Sequence, residues 1–402
     1  MRGLVPRDLR LPSALATLLD AGRSVASEAP SARVTMARLD GLVRPELLPA
    51  VLRDEVAASI ERTLGATARP LGAGDVEKAL RSAWGEQPSA VLDDIDLESP
   101  VAVRPHAQTH RGVLDGSPVA VKLVRPRMAA TARADLVLLD ALARPLGAAF
   151  PALAVGPVLS EVRERILDEL DLEHEGDIQR RVARGLRRMD GVEVARIEGE
   201  LTTHDVHVSQ WLEGPTLADG APDDPGLVAQ MLVRVFVGAP RAIGLVLANP
   251  RPNDVVLLWG GGIGLIGPGA ARAVARERVD QWMATLEALQ SRDADAFGAA
   301  LAAFGLVPVD AGREAYAHVE AVLGPLLLSG PARLDDAALA AAGGAAFDRL
   351  GALMDLAARA TPDPADLWPL RMLAQLAATL APLGATEDWL GLGLEALREG
   401  WG

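Results

Sequence analysis

The chain contains no cysteine. That excludes disulfides, thiolate catalysis and cysteine-ligated metals. Aromatic residues are nearly as scarce, at 3% of the total with a single tyrosine. The core must therefore be built from alanine, leucine and valine, a mixture that favours helices. A basic surplus is also missing: 54 acidic residues face 40 basic ones, for a net charge of −14. Such a chain gains nothing from counterion release on DNA or RNA, so nucleic acid is excluded as a partner class. The basic run RRVARGLRR at 180–188 reads as a solvated helix face. No uncharged apolar window reaches the roughly 18 residues of a spanning helix. MLAQLAATLAPLGA, 372–385, comes nearest and is short and interrupted by proline. The N-terminal stretch is broken by charge and proline and carries no signal-peptide core. The expectation is a cytoplasmic protein, at most peripheral to a membrane, with no transmembrane segment.

What is present is a 402-residue chain, half of it hydrophobic. That is enough for two or three domains, each with its own core. Residues 1–95 carry helical periodicity in LPSALATLLDAG, PELLPAVLRDEVAASIERTLG and GDVEKALRSAW, the last opening on an Asp75 cap. PVAVRPHAQTHRGVLDGSPVAVKLVRP then sets Val-rich runs on either side of Asp115-Gly116, a strong hairpin signal. Long helical patterns follow at 134–146 and 159–189, then two strand-like runs, VEVARIEGEL and DVHVSQWLEG. Another helix, 224–244, leads into LANPRPNDVVLLWGGGIGLIGPG at 247–269. Beyond Ala270 the pattern is helical to the end, with a helix pair at 334–360 expected to break at Gly343-Gly344. The order predicts an α+β fold of two lobes: a helical extension at 1–95, a small sheet with inserted helices at 96–213, a helical lobe at 214–330 and a helical segment at 331–402.

Several short patterns carry chemistry. VAVK, 119–122, puts Lys122 at the end of a strand after a hairpin, where a phosphoryl-transfer fold needs a lysine for phosphates and a helix glutamate to hold it. In ELD, 169–171, Glu169 is the candidate partner. Gly262-x-Gly264-x-x-Gly267 also matches a dinucleotide fingerprint. However, the acid-ended second strand that such a fold needs is replaced by the helical VDQWMATLEAL, and a hairpin turning at Gly260 to Gly262 reads better. His106-x-x-x-His110 places two rings on one strand face but far apart. Ordinary packed or exposed histidines are expected there, and His204 and His207 fall on opposite faces.

Taken in order, these stretches resemble the UbiB/AarF family of atypical kinase-like proteins, from about residue 44 to about residue 308. VAVKLVRP is similar to the family's lysine strand, ELDLEHEGDIQR to its "ELDxxxEAxN" helix, VSQWLEGPTL to its hinge and LANPRPND to its "HADPHPGN" loop. The resemblance implies a protein-kinase-like bilobal fold, ATP and Mg²⁺ as cofactors, and a link to isoprenoid quinone or lipid metabolism at a membrane surface. It places Gln210 and Leu212 at the adenine-reading hinge. It also exposes departures. The catalytic aspartate falls on Asn249, the metal-binding asparagine on Asp254, and the aspartate of the second metal motif on Gly267. The family's alanine loop falls on Ala102-Val103-Arg104-Pro105, where Arg104 either touches a phosphate or fills the pocket. The "KxGQ" segment falls on Met36-Ala37-Arg38-Leu39 without its lysine and glutamine, which leaves Asp171 without a role.

An amide cannot take a proton from a hydroxyl, and glycine offers magnesium no carboxylate. The expectation is a pseudokinase with a regulatory or scaffolding role. Its nucleotide binding is weak or lost, and its ligand is a protein partner or a lipid-like isoprenoid. The alternatives are a divergent, active ATP-dependent phosphotransferase or ATPase using Asp254, and a helical interaction protein that binds no nucleotide.

Overall fold

A computed structural model describes residues 69–104, 106–126, 128, 155–168, 170–268, 271–357 and 359–401. The segments read as helices before residue 69 and at 134–146, the 36–39 stretch, Pro105 and Glu169 lie outside the described residues. Helix α1, Ala73–Trp84, begins two residues before the expected Asp75 cap; Gly72 is the N-cap and Asp75 sits in the first turn. A one-turn helix α2, Pro88–Val91, leads to a sheet of five antiparallel strands. These are β1 (Asp94–Ile95), β2 (Ala102–Val103), β3 (Ala107–Leu114), β4 (Ser117–Val124) and β6 (Val206–Gln210). β3 and β4 meet at the predicted Asp115-Gly116 turn, where both residues take positive φ, 50° and 72°, as a two-residue hairpin requires.

Strand alternation sorts the two faces of β4. Val119, Val121 and Leu123 are buried in one cluster with Val76 and Leu80 of α1 and with Val206 and Val208 of β6. Lys122 therefore points to the opposite face, in a cross-strand row with Thr109 and His207.

The expected long helix at 159–189 is two: α3, Val155–Asp168, and α4, Leu172–Leu186. Asp171 supplies the break, because its carboxylate accepts from the Glu173 and His174 amides as the N-cap of α4. After β5 (Val192–Val194) the expected strand continuation gives way to a bridge, Ile197↔Ser209, and a short 3₁₀ turn.

The second, larger core gathers around α5, Pro225–Ile243. This helix is the one among the described residues long and apolar enough to cross a membrane by length and composition; most of it is buried inside the protein. Asp224 caps its start and Gly244, at φ 63°, ends it in a left-handed turn. The chain then enters β7 (Leu245–Leu247), a 3₁₀ turn at Pro252–Asp254, and the hairpin β8 (Val255–Leu257) and β9 (Ile263–Leu265). The glycine turn between β8 and β9 agrees with the hairpin reading, not a dinucleotide crossover. Gly262 cannot carry a side chain, because a Cβ there would lie 2.3 Å from the Gly191 carbonyl oxygen.

The helix expected from Ala270 onward starts later. β10, Ala271–Ala273, first pairs with β7, and α6 runs from Arg276 to Gln290. Then come α7 (Ala294–Ala303), α8 (Gly312–Leu327), β11 (Ala332–Arg333), α9 (Asp336–Asp348), α10 (Leu350–Ala357), α11 (Leu367–Leu380), β12 (Thr386–Glu387) and α12 (Trp389–Glu399). The two-residue strands β11 and β12 pair with each other and carry no sequence signal of their own. α9 runs straight through Gly343-Gly344 and breaks at Arg349, contrary to expectation. Two glycines cost about 1 kcal/mol each relative to alanine, and the flanking alanines keep the helix intact. Met372 and Leu376 of α11 and Ala396 and Leu397 of α12 join the same core as α5.

Because Asp171 sets the start of α4, Asp171→Ala should lower stability by about 1 kcal/mol. In thermal melts of a chain this long that corresponds to a fall of roughly 1–2 °C. An unchanged melting temperature would remove Asp171 from that role.

Candidate functional site

The sheet, α4 and the β7–β9 segment enclose a cleft of about 450 Å³. Lys122, Arg104, Gln210, Leu212, Asn249, Asp254 and Gly267 all line it. Seven positions drawn from between Arg104 and Gly267 thus meet in one place.

Lys122 Nζ donates to both oxygens of Glu175, at 2.8 and 2.6 Å. This corrects the sequence assignment. The described partner is Glu175 of α4, the helix that starts after the Asp171 cap and packs under the sheet; the expected Glu169 lies outside the described residues. One helical turn after the cap, Glu175 faces Lys122. The signal was in the sequence: the "ELDxxxEAxN" pattern has a second glutamate, and it falls on Glu175. The Glu175 side chain is only 11% exposed. Burial pushes its carboxyl up, but Lys122, His207 and Arg104 more than offset this and hold it below the ordinary value.

His207 was missed by sequence reasoning. It sits opposite Lys122 in β6 and lines the cleft, almost completely buried, with no hydrogen-bond partner for Nε2 among the described residues. Burial, which outweighs the attraction of Glu175, drives its pKa down to about 4. His110, by contrast, is an ordinary packed histidine, with Nδ1 2.6 Å from the Asp96 carbonyl oxygen and Nε2 2.7 Å from Gln108 Nε2.

At the loop, Asn249 is buried and its Oδ1 accepts from Arg251 Nε at 3.0 Å and from Arg371 Nη2 at 3.3 Å. Arg371 arrives from α11, where its guanidinium lies 5.4 Å from the Trp368 ring centroid. Neither arginine was foreseen as part of the site, and Arg371, 122 residues away, left no local signal. Asp254 is held beside Gly267 by the Ile266 amide, which donates to the Asp254 carbonyl at 3.1 Å. A Cβ on Gly267 would come 3.3 Å from Glu175 Oε1.

Across the cleft, Arg104 Nη2 donates to Asp254 Oδ1 at 2.6 Å. This contact places Arg104 inside the cleft and engages it with the loop. At the hinge, the Gln210 side chain bonds Glu193 at 3.1 Å, and Leu212 is buried against Ala195 and Val256.

The residue set does not fit a divalent cation. The amide oxygen of Asn249 is bonded to two guanidinium groups, position 267 has no side chain, and the Asp254 carboxylate is paired with Arg104. Magnesium prefers oxygen ligands with at least one or two carboxylates available to it. Among the described residues no cluster of three metal-ligating side chains occurs.

A lysine–glutamate pair between a small antiparallel sheet and a helix, facing a strand–loop–hairpin, is the layout of a protein-kinase-like fold. Residues 63–300, more than half of the chain, match the ABC1 atypical kinase-like domain. The chain belongs to the ABC1, or UbiB/AarF, family of atypical kinase-like proteins. AarF domain-containing protein kinase 1 of Xenopus tropicalis is 28% identical over 189 residues, 46% of this chain and 36% of the frog protein. The probable protein kinase UbiB of Aeromonas hydrophila is 28% identical over 226 residues, 54% of this chain and 40% of that protein. The chain thus spans well under half the length of these relatives. Among solved structures, the Rv3197–erythromycin complex from Mycobacterium tuberculosis is similar over 96% of this chain and 98% of that one. Its TM-score is 0.63 at 21% identity, a likeness of fold.

His207 gives the family's cleft here a pH signature. An unfolded histidine takes its proton near pH 6.5, the folded one only near pH 4. Between those values the unfolded state holds the extra proton, so stability falls as pH drops from 6.5 to 4, by about 3 kcal/mol in all. The lowered Glu175 adds its own loss at the acid end of that window. Denaturant titrations at pH 6.5 and 4.5 should show a smaller difference for His207→Gln than for the wild type; equal slopes would contradict the assignment.

Proposed function

We propose that this chain is a pseudokinase: a kinase-like scaffold that keeps its cleft and its lysine–glutamate pair but no longer transfers phosphate. The observation that carries this reading is the state of the three positions that match the family's base and metal ligands. One is a buried amide clamped by Arg251 and Arg371, one is glycine, and the third is paired with Arg104 across the cleft.

Proton abstraction by a positioned base is worth roughly 10²–10⁴ in rate. Phosphoryl transfer also depends on metal ions that bridge the phosphates and neutralise developing charge. Loss of both functions in one site supports a regulatory or scaffolding role rather than a slow enzyme. Asp254 is a poor substitute base, because its Oδ1 already accepts from the Arg104 guanidinium at 2.6 Å. Family resemblance supports a place in isoprenoid quinone or lipid metabolism, close to a membrane, with a protein or lipid-like ligand. The competing reading is a divergent ATPase that uses Lys122 and Asp254.

An ATPase assay with Mg²⁺ on the wild type and Lys122→Ala separates the two. The expected result is no turnover in either. Turnover in the wild type that Lys122→Ala abolishes would overturn the proposal. Asn249→Asp supplies a second check. An aspartate there would meet two guanidinium groups as a charge-assisted acceptor, so it should raise stability by about 1–3 kcal/mol without restoring turnover. Recovery of activity by this single change would show that only the base had been lost.

A further inference from the structure

The charge around the lost metal position is balanced by the protein itself. A site with aspartates at 249 and 267 and neutral residues at 104 and 254 carries two negative charges there, which one divalent cation cancels. Here Asn249 and Gly267 are neutral, Asp254 contributes one negative charge and Arg104 one positive charge, so these four positions already sum to zero. Lys122 and Glu175 form a second neutral pair beside them, and Arg251 adds a positive charge at Asn249. The guanidinium is therefore not an incidental surface contact. Arg104 is 27% exposed, Asp254 19%, and they join two elements 150 residues apart across the cleft.

From this we infer that the cleft binds a nucleoside phosphate without a divalent cation, Arg104 taking the electrostatic place of the metal. The inference rests on the pseudokinase reading above and deepens it by naming the ligand class and the condition for binding. Guanidinium suits this role. It is charged at every working pH, offers five N–H donors in a planar fork, and can keep one on Asp254 while presenting others to phosphate oxygens. The rest of the cleft matches an apolar ring attached to an anion. Ala102, Ala107, Ala120, Leu212, Val256 and Ile266 supply the apolar lining, while Lys122, Arg104 and Arg251 supply cations alongside the acids Asp168, Glu175, Asp219 and Asp254. A magnesium ion brought in with the nucleotide would compete with Arg104 for Asp254. Metal should thus leave binding unchanged or weaken it.

Isothermal titration of the full chain with ATP tests this, once in EDTA and once with excess Mg²⁺. The expected result is binding in EDTA that is as tight as, or tighter than, binding with Mg²⁺. Arg104→Gln should weaken binding in EDTA at least tenfold and make the remaining binding Mg²⁺-dependent, because Asp254 is then released. Arg104→Lys, which keeps the charge, should retain much of the EDTA binding and guards against a simple folding defect. Binding by the wild type only in the presence of Mg²⁺, or EDTA binding unaffected by Arg104→Gln, overturns the inference. No binding under either condition also overturns it, while leaving a non-catalytic scaffold intact. Turnover with Mg²⁺ would instead sink the pseudokinase reading, and the two failures are distinct.

Discussion

The contact between Lys122 and Glu175 ties the upper sheet to the helix beneath it, and the geometry of the cleft follows from that tie. Two opposite charges at 2.6–2.8 Å in a largely buried position are costly to separate, since either alone would remain in poorly hydrated surroundings. Such a pair is weak as a source of net stability but strong as a determinant of register. It fixes which face of β4 looks into the cleft and how far along α4 the carboxylate must sit. His207, directly across the ladder from Lys122, stays uncharged near neutral pH because burial disfavours its cation more than Glu175 attracts it.

A second tie, from Arg104 to Asp254, crosses the same space from the β2 end to the hairpin. The two ties differ in meaning. The first is the arrangement that any kinase-like cleft needs to hold phosphates. The second involves an arginine in a loop where the family carries small residues, and an aspartate where it carries asparagine. With the amide at 249 and the glycine at 267, the Arg104–Asp254 pair leaves these four positions with no net charge.

Much of this was legible in the sequence because it depends on short-range patterns. The Asp115-Gly116 turn, the alternation that turns Lys122 away from Val121, and the glycine turn before β9 all follow from local backbone rules. The split between α3 and α4 was legible in principle, because Asp171 is an acceptable cap. Periodicity continues through it, however, and that masked the break and shifted the lysine's partner from Glu175 to Glu169. The β10 strand at Ala271–Ala273 was missed for the opposite reason: its residues are good helix formers, and pairing with β7 overrides that preference. What could not be read at all are contacts made by distant side chains. Nothing near Arg371 in sequence announces that it will reach Asn249, and Glu161, which accepts from Trp368 Nε1 at 2.9 Å and pairs with Arg272 at 2.8 Å, is equally silent.

That long reach has a practical side. The segment matching the family ends at residue 300, yet Arg371 bonds the side chain of Asn249 and Thr379 donates to the Pro250 carbonyl at 3.1 Å. A fragment trimmed to the matching boundary would keep every recognisable motif while stripping two donors from the loop those motifs define. Its loop would sit in a different polarity from that of the intact chain, so measurements on it would describe an altered pocket. For this protein, the meaningful unit of study extends through α11, past the point where kinship can be read.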